Sequence, residues 1–195
     1  AVGDSLLDVG CGNGLYPLKT KHKFARVLQV DVVDRRAEQA KAIAFRQMDA
    51  SNIASVTDSF STIACFDIIE HLDDDEAFIS TLRGICDGVV VGSVPNDDDT
   101  QPQMVGLTYM HHTDKTHRRN YSADEVCEKF RKSGFTSLLI LPQYSNGLVA
   151  AAYALRTDAV ISKIAARLIA STCHALCSCG IFRNRAIADW FFVAR

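Results

Sequence analysis

The chain has 195 residues, of which 48% are hydrophobic and 23% are charged, and this balance excludes a disordered or fibrous protein. Its 21 basic and 23 acidic residues give a formal charge of −2, which does not favour a protein that binds phosphate backbones. The length predicts a single domain over residues 1–195. The seven cysteines form no framework-like pattern, so we expect a cytoplasmic protein with reduced, mostly buried thiols.

No targeting or membrane-spanning segment is apparent in the sequence. The chain opens at Ala1 without the basic and apolar regions of a signal peptide. The longest apolar region, about 159–182, is interrupted by Lys163, Arg167 and His174, which argues against a membrane span.

Short apolar runs alternate with stretches of helical spacing, which predicts an α/β fold. The first five runs are almost continuously hydrophobic, as is typical of parallel strands with helices on both faces. The predicted strands are Ser5–Val9, Arg26–Asp31, Ala44–Met48, Ser61–Cys65, Gly88–Val94, Thr136–Leu141 and Ala188–Ala194. The predicted helices are Arg36–Ile43, Asp75–Cys86 and Ala123–Ser133, the last with Ser122 as its N-cap.

Two segments do not fit this alternation. Residues 96–120 form a long polar connection, and long connections in compact domains are usually functional. A helical insertion is predicted at about 145–187, before the last strand, with an apolar stripe over residues 160–176. Because the opposite face of that helix is basic, it is either a cover on the sheet or a peripheral contact with a membrane or a lipid-like acceptor.

The strongest functional signal is a glycine-rich turn directly after the first strand. It reads Asp8-Val9-Gly10-Cys11-Gly12-Asn13-Gly14. Alternating glycines allow a sharp turn and let a ligand approach the main chain beside a helix N-terminus. A dinucleotide-binding fingerprint would need a further glycine where this chain has Leu15.

Acidic residues end the next two strands. Asp31 closes the second strand, where a carboxylate is placed to bind ribose hydroxyls, and Asp34 is its rival for that role. Asp49 ends the third strand, where it could receive the exocyclic amine of a purine.

These motifs resemble those of class I S-adenosylmethionine-dependent methyltransferases, and most closely the ubiquinone-biosynthesis-type small-molecule O-methyltransferases. The resemblance also includes Cys65-Phe66-Asp67-Ile68-Ile69-Glu70-His71-Leu72 and a Thr116-His117 element followed by Tyr121-Ser122. It spans about residues 5–142 and resumes at 188–195. It implies a Rossmann-like sheet of seven strands, mostly parallel with the seventh antiparallel, and helices on both faces.

The resemblance also implies where S-adenosylmethionine binds. The methionine part is expected at Gly10 and its neighbours, the ribose at Asp31, the adenine between Asp49 and Ala50, and a main-chain contact at Phe66. The expected cofactor-binding residues are therefore Asp8, Gly10, Cys11, Gly12, Gly14, Asp31, Asp49, Ala50 and Phe66. Family members usually carry helices before the first strand, whereas four residues precede Ser5 here.

Methyl transfer to oxygen requires alignment with the sulfonium group and a base for the acceptor proton. His71 and His117 are the candidate catalytic residues, because the ordinary pKa of histidine lies near neutrality. Asp67, Glu70 and His71 form a candidate Mg²⁺ site, as similar clusters do in the ubiquinone enzymes. Structural roles for each of these side chains remain open alternatives.

Two weaker metal patterns are interpreted as loop residues and buried thiols. They are His111-His112-x-Asp114-x-x-His117, and Cys173, Cys177 and Cys179 with His174.

The predicted activity is S-adenosylmethionine-dependent methylation of a small-molecule acceptor at a hydroxyl. A DNA-base substrate is not expected, because the segment Asp67-Ile68-Ile69-Glu70 lacks the Pro-Pro-Tyr element of amino-type enzymes. Nor does a proline precede any cysteine, as a cytosine-carbon enzyme would need. The alternatives are an RNA or protein methyltransferase and a non-catalytic S-adenosylmethionine-binding module.

Overall fold

The computed structural model describes residues 4–98, 114–145, 164, 168, 171–172 and 186–195. Seven strands form one sheet in the order β3-β2-β1-β4-β5-β7-β6. Strand β7 is antiparallel to both of its neighbours, and the other paired strands are parallel. The strands are β1 Ser5–Val9, β2 Arg26–Asp31, β3 Ala44–Gln47, β4 Phe60–Phe66, β5 Cys86–Pro95, β6 Leu138–Ser145 and β7 Ala186–Ala194. The predicted fold class is confirmed.

Three helices are described in full, α1 Leu15–Thr20, α2 Asp75–Ile85 and α3 Ala123–Lys132. Asp74 caps α2 by accepting the Ala77 amide at 2.9 Å, and Ser122 caps α3 in a reciprocal capping box with Glu125. The predictions for these two helices are therefore confirmed.

The main core lies on the face of the sheet that α2 and α3 cover. Phe130 of α3 packs on Phe192 of β7 with ring centroids 4.6 Å apart, and Leu82 of α2 is fully buried. Alternate strand residues point to the opposite face, where Tyr16 and Thr20 of α1 line a cavity together with Thr62 and Val91. Helices thus pack on both faces of the sheet, and the carboxyl edge of its parallel strands carries the candidate site described below.

The predicted helix at Arg36–Ile43 is wrong, because only a 3-10 turn forms there, at Glu38–Ala40. Ala37 is extended and its amide donates to the carbonyl of Asn13. The Arg36 guanidinium donates to the carbonyl of Ile43 at 2.8 Å. A bond to the glycine turn and a side-chain bond to Ile43 therefore replace the helical ladder.

The remaining predicted bounds differ mainly at strand ends. Strand β6 begins two residues later than predicted and runs on to Ser145, where it pairs with Ala186 of β7. Because Asp189 of β7 pairs with Pro95, both ends of the predicted insertion lie at the carboxyl edge of the parallel strands.

Most of that insertion lies outside the described residues. Ile164, Leu168, Ser171 and Thr172 are described, and all four are helical. Residues 99–113, with His111 and His112, and the cysteines at 173, 177 and 179 are outside the described ranges. Across the described ranges, no helix combines the length and the hydropathy that a membrane crossing requires.

Candidate cofactor and acceptor site

The glycine turn leaves β1 with three left-handed residues. Gly10, Gly12 and Gly14 have φ angles of 72°, 52° and 71°. The amides of Gly10 and Cys11 both donate to the carbonyl of Val30, at 2.9 and 3.1 Å. A Cβ atom on Gly10 would lie 2.8 Å from Ile68, so a side chain there meets both backbone strain and a clash.

Asp31 lies directly across from this turn. Its Oδ2 accepts the amide of Gly12 at 2.8 Å, and its Oδ1 accepts the amide of Val33 at 3.3 Å. The carboxylate is therefore fixed at the carboxyl end of β2, the position predicted for a ribose-binding group.

Asp34, the rival for that role, has its carboxylate engaged elsewhere. Both oxygens accept from the Arg36 guanidinium at 2.9 Å, and this fork lowers the pKa of Asp34 to about 2. The Arg36 side chain is buried beneath it and lies over the ring of Phe45. The geometry favours Asp31 over Asp34 as the ribose ligand.

Asp8 and Cys11 lie beneath the turn rather than on its surface. Asp8 is 3% exposed and accepts from Gln29 at 3.4 Å, and burial raises its pKa to about 7. Burial, aided by the charge of Asp8, raises the pKa of the Cys11 thiol to about 12. Both side chains support the turn, and Cys11 is a neutral thiol.

The expected adenine side combines a capped turn with exposed apolar residues. Oδ1 of Asp49 accepts the amide and the hydroxyl of Ser51 at 2.8 and 2.7 Å, and these bonds lower the Asp49 pKa. Ala50 is buried beside it, while Val32 and Val33 are 46% and 49% exposed. Sequence reasoning missed these two valines, although apolar residues directly after a strand-end aspartate are a usable signal for a flat ligand.

The end of β4 contributes an aromatic group and a strained residue. The ring of Phe66 contacts Tyr16 of α1 at 4.7 Å and lies 6.2 Å from Phe191 of β7. Asp67 has φ 50°, and its Oδ1 accepts the Ser93 hydroxyl at 2.6 Å. That bond fixes the chain at the strained residue, where it leaves β4 toward Glu70.

The two candidate catalytic histidines are in contact, although 45 residues separate His71 from the Thr116 that binds it. Their ring centroids are 4.6 Å apart in an edge-to-face arrangement. Nδ1 of His71 lies 3.3 Å from the carbonyl oxygen and 3.1 Å from the hydroxyl of Thr116, and that hydroxyl donates to Asp114 at 2.6 Å. Thr116 therefore holds the His71 ring at its Nδ1 side.

His117 lies partly buried on the other side of this contact. Its Nε2 is 3.7 Å from Oδ2 of Asp114. Burial, followed by the charge of His71, lowers the pKa of His117 below its ordinary value. His117 is therefore more readily neutral than an ordinary histidine.

Glu70 is fully buried beside the histidines. Among the described residues, neither of its carboxyl oxygens has a hydrogen-bond partner outside Glu70 itself. Burial raises the Glu70 pKa to about 8, and the charge of Asp67 adds to this increase. A buried carboxyl group without a hydrogen-bond partner is stabilised when it is protonated or when it binds a ligand.

Potential metal-ligating atoms of Glu70, His71 and His117 lie within 4.8 Å of one another. Asp67, expected to join Glu70 and His71, accepts from Ser93 instead, and His117 takes its place in the cluster.

Sequence reasoning also missed Asp189 of β7, whose pKa burial raises to about 6. A single acidic residue within an otherwise apolar strand was the available signal.

A cavity of about 470 Å³ lies between the expected adenine side and His71. Asp49, His71 and Arg118 are among its lining residues. The structure thus gathers the cofactor-binding candidates and the histidine candidates along one edge of the sheet.

Comparison with known proteins agrees with this geometry. Residues 1–139 match the family model described as a methyltransferase domain. Two curated relatives, both ubiquinone biosynthesis O-methyltransferases, are 33% identical over 86 residues in Idiomarina loihiensis and 32% identical over 92 residues in Aeromonas salmonicida. These matches cover 40% and 43% of this chain and only 35% and 37% of the relatives' length.

Solved structures extend the likeness to the whole fold. A SAM-dependent methyltransferase from Archaeoglobus fulgidus aligns with a TM-score of 0.67 at 18% identity, covering 98% of this chain and 86% of that one. The magnesium protoporphyrin IX methyltransferase from Synechocystis with bound SAH aligns with a TM-score of 0.60 at 14% identity, covering 99% and 74%. With a family match across most of its length and this sheet order, the chain belongs to the methyltransferase-domain family and has the fold of the S-adenosylmethionine-dependent enzymes.

Proposed function

We propose that this protein transfers the methyl group of S-adenosylmethionine to a hydroxyl oxygen of a small-molecule acceptor. The observation that carries the proposal is the contact between His71 and His117 at the cofactor edge of the sheet. The O-methyltransferase names of the curated relatives support oxygen as the target atom.

The cofactor is proposed to lie across the carboxyl ends of β1, β2 and β4. Asp31 binds the ribose hydroxyls, and the methionine part lies against the bare main chain of the glycine turn. Asp49, Ala50 and the exposed Val32 form the adenine side, and the main chain of Phe66 contacts the cofactor. Asp8, also expected at the cofactor, lies beneath the turn and is 3% exposed.

The cofactor supplies the reactive methyl group, and the chain supplies alignment and a base. The acceptor oxygen attacks the methyl carbon as the carbon–sulfur bond breaks, giving a methyl ether and S-adenosylhomocysteine. His117 takes the hydroxyl proton, because its lowered pKa keeps it neutral near pH 7. His71 orients this base through the contact between the two rings. It is also the alternative candidate for the base that takes the proton.

A divalent cation is a second candidate at the same place, and the buried carboxyl of Glu70 is the observation that favours it. Glu70, His71 and His117 would hold the ion, which would lower the pKa of an acceptor hydroxyl bound to it. One carboxylate with two imidazoles suits Zn²⁺ or Mn²⁺ better than the Mg²⁺ expected from the sequence, since Mg²⁺ prefers oxygen ligands.

The direct test measures S-adenosylhomocysteine release from S-adenosylmethionine with a panel of phenols, catechols, sugars, peptides and RNA. We expect turnover with a phenolic or alcoholic acceptor and loss of that turnover in His117→Ala. The matched control is His22→Ala, because His22 is exposed in a 3-10 turn far from the histidine pair. Tight cofactor binding without transfer to any acceptor would instead support a non-catalytic binding module.

A further inference from the structure

The His117 loop has no regular secondary structure between Asp114 and Asn120, so its contacts with the rest of the protein determine its position. It touches the Glu70–His71 turn at two points. The amide of Arg118 donates to the carbonyl of Glu70 at 2.8 Å, and Nδ1 of His71 bonds to Thr116.

Arg119 reaches from this loop to the residues that follow His71. One terminal nitrogen of its guanidinium donates to the carbonyls of Asp73 and Leu72, at 2.9 and 3.3 Å. The other terminal nitrogen lies 2.9 Å from Oδ1 of Asp75. One planar group therefore joins the His117 loop, the His71 turn and the start of α2.

Asp75 is 2% exposed and is held from three directions. Besides Arg119, it accepts from the Tyr121 hydroxyl at 2.7 Å and pairs with Lys129 of α3 at 3.1 Å. Burial would raise the Asp75 pKa, but the bonds from Tyr121 and Lys129 and the two positive charges keep it below its ordinary value. The carboxylate is therefore charged and fixed as a partner for Arg119.

Tyr121 connects the His117 loop to the sheet. Its amide donates to the carbonyl of Pro95 at the end of β5, and its own carbonyl accepts from the amide of Asp97 and the indole of Trp190. The loop is thus anchored at its far end, and Arg119 controls the part that carries His117.

We propose that Arg119, held by Asp75, is a positioning residue that sets the contact between His117 and His71. The inference deepens the proposed function, since it assigns the residues that support the proposed base. Neither Arg119 nor Asp75 touches the predicted cofactor-binding residues, so their effect is expected on catalysis and not on cofactor affinity.

The decisive variant is Arg119→Lys, which keeps a positive charge beside Asp75 but cannot bind the carboxylate and both carbonyls together. Its control is Lys129→Met, which removes another ion pair of Asp75 without touching the loop. Amide hydrogen exchange at Arg118 reports on the bond to Glu70 without any substrate. We expect it to be about tenfold faster or more in Arg119→Lys, and near wild type in Lys129→Met.

Kinetics give the second readout. In Arg119→Lys we expect kcat to fall by about tenfold or more, while the KM for S-adenosylmethionine stays unchanged. Equal exchange rates at Arg118 in the two variants would overturn the proposal. If the wild-type protein transfers no methyl group, the exchange experiment still tests the role of Arg119, so failure of the activity and failure of the positioning role are distinguishable.

Discussion

The main-chain amide of Gly12 donates a 2.8 Å hydrogen bond to Oδ2 of Asp31, which lies 19 residues further along the chain. The bond joins the glycine turn of β1 to the end of β2, so the two predicted binding elements fix one another. Because the carboxylate is oriented before the cofactor arrives, less ordering free energy is lost on binding.

Replacing Asp31 tests this element directly. Asp31→Ala should weaken S-adenosylmethionine binding by about 1–3 kcal/mol in calorimetry, because it removes charge-assisted bonds to the ribose. Asp34→Ala is the matched control, since the Asp34 carboxylate is engaged by Arg36. A larger loss in Asp34→Ala would move the ribose role to that residue.

The base assignment predicts a separation of turnover from cofactor affinity. His117→Ala should lower turnover about 10²- to 10⁴-fold on a productive acceptor, while calorimetry finds cofactor binding unchanged. The same measurements on His71→Ala test the competitor. Full turnover in both variants would mean that alignment alone drives the transfer.

Asp8 predicts a pH dependence of stability. The pKa of Asp8 rises from 3.8 to about 7 on folding, so the folded state is stabilised when the carboxyl is neutral. This stabilisation is fully present below about pH 4. It is lost as the pH rises through 7, and the free energy of unfolding should fall by roughly 2–4 kcal/mol relative to Asp8→Asn between pH 4 and 8.

Denaturant unfolding across that pH range measures the difference. Asp58→Asn is the control, because Asp58 is an exposed partner of Arg26. Parallel stability curves for the wild type and Asp8→Asn would contradict the assignment.

The donor set of the histidine cluster predicts its metal preference. Titration calorimetry should find Zn²⁺ bound more tightly than Mg²⁺, with binding lost in Glu70→Gln. Glu76→Gln serves as the control, since Glu76 is exposed on α2 and pairs with Lys129. Equal Zn²⁺ affinity in Glu70→Gln and the wild type would exclude Glu70 as a ligand.

The predicted amphipathic helix leads to a membrane test. Ile164 and Leu168, four residues apart, are 53% and 64% exposed. Flotation with anionic liposomes should recover the protein at low salt, and Ile164→Ser with Leu168→Ser should reduce that recovery. Absence of flotation at low salt would leave the helix as a cover on the protein.

Most of the sheet could be predicted because buried parallel strands leave continuous apolar runs and their ends carry recognisable motifs. The bounds of β1 and β2 agree with prediction to the residue. The apolar pattern could not show that the helix predicted at Arg36–Ile43 does not form. The apolar spacing of this segment is helical, whereas in the folded chain Ala37 is extended and donates its amide to the carbonyl of Asn13, a residue of the glycine turn.

The acceptor side was harder to predict for a similar reason. Glu70 in the sequence is one acid beside a histidine, and no local pattern shows that it is fully buried. His117 lies in an irregular segment without periodicity, so its contact with His71 follows from Arg119 and Tyr121, whose partners are distant in the chain.

The pairing of Ser145 with Ala186 has a consequence for how this protein changes over time. The chain leaves the sheet at Ser145 and re-enters it at Ala186, which is paired with Ser145, so the number of residues between the two does not set the strand register. The cost of closing a loop grows only slowly with its length. The connection between β6 and β7 is therefore a place where evolution or an engineer can exchange whole segments at the carboxyl edge of the sheet and leave the contacts between β1 and β2 unchanged.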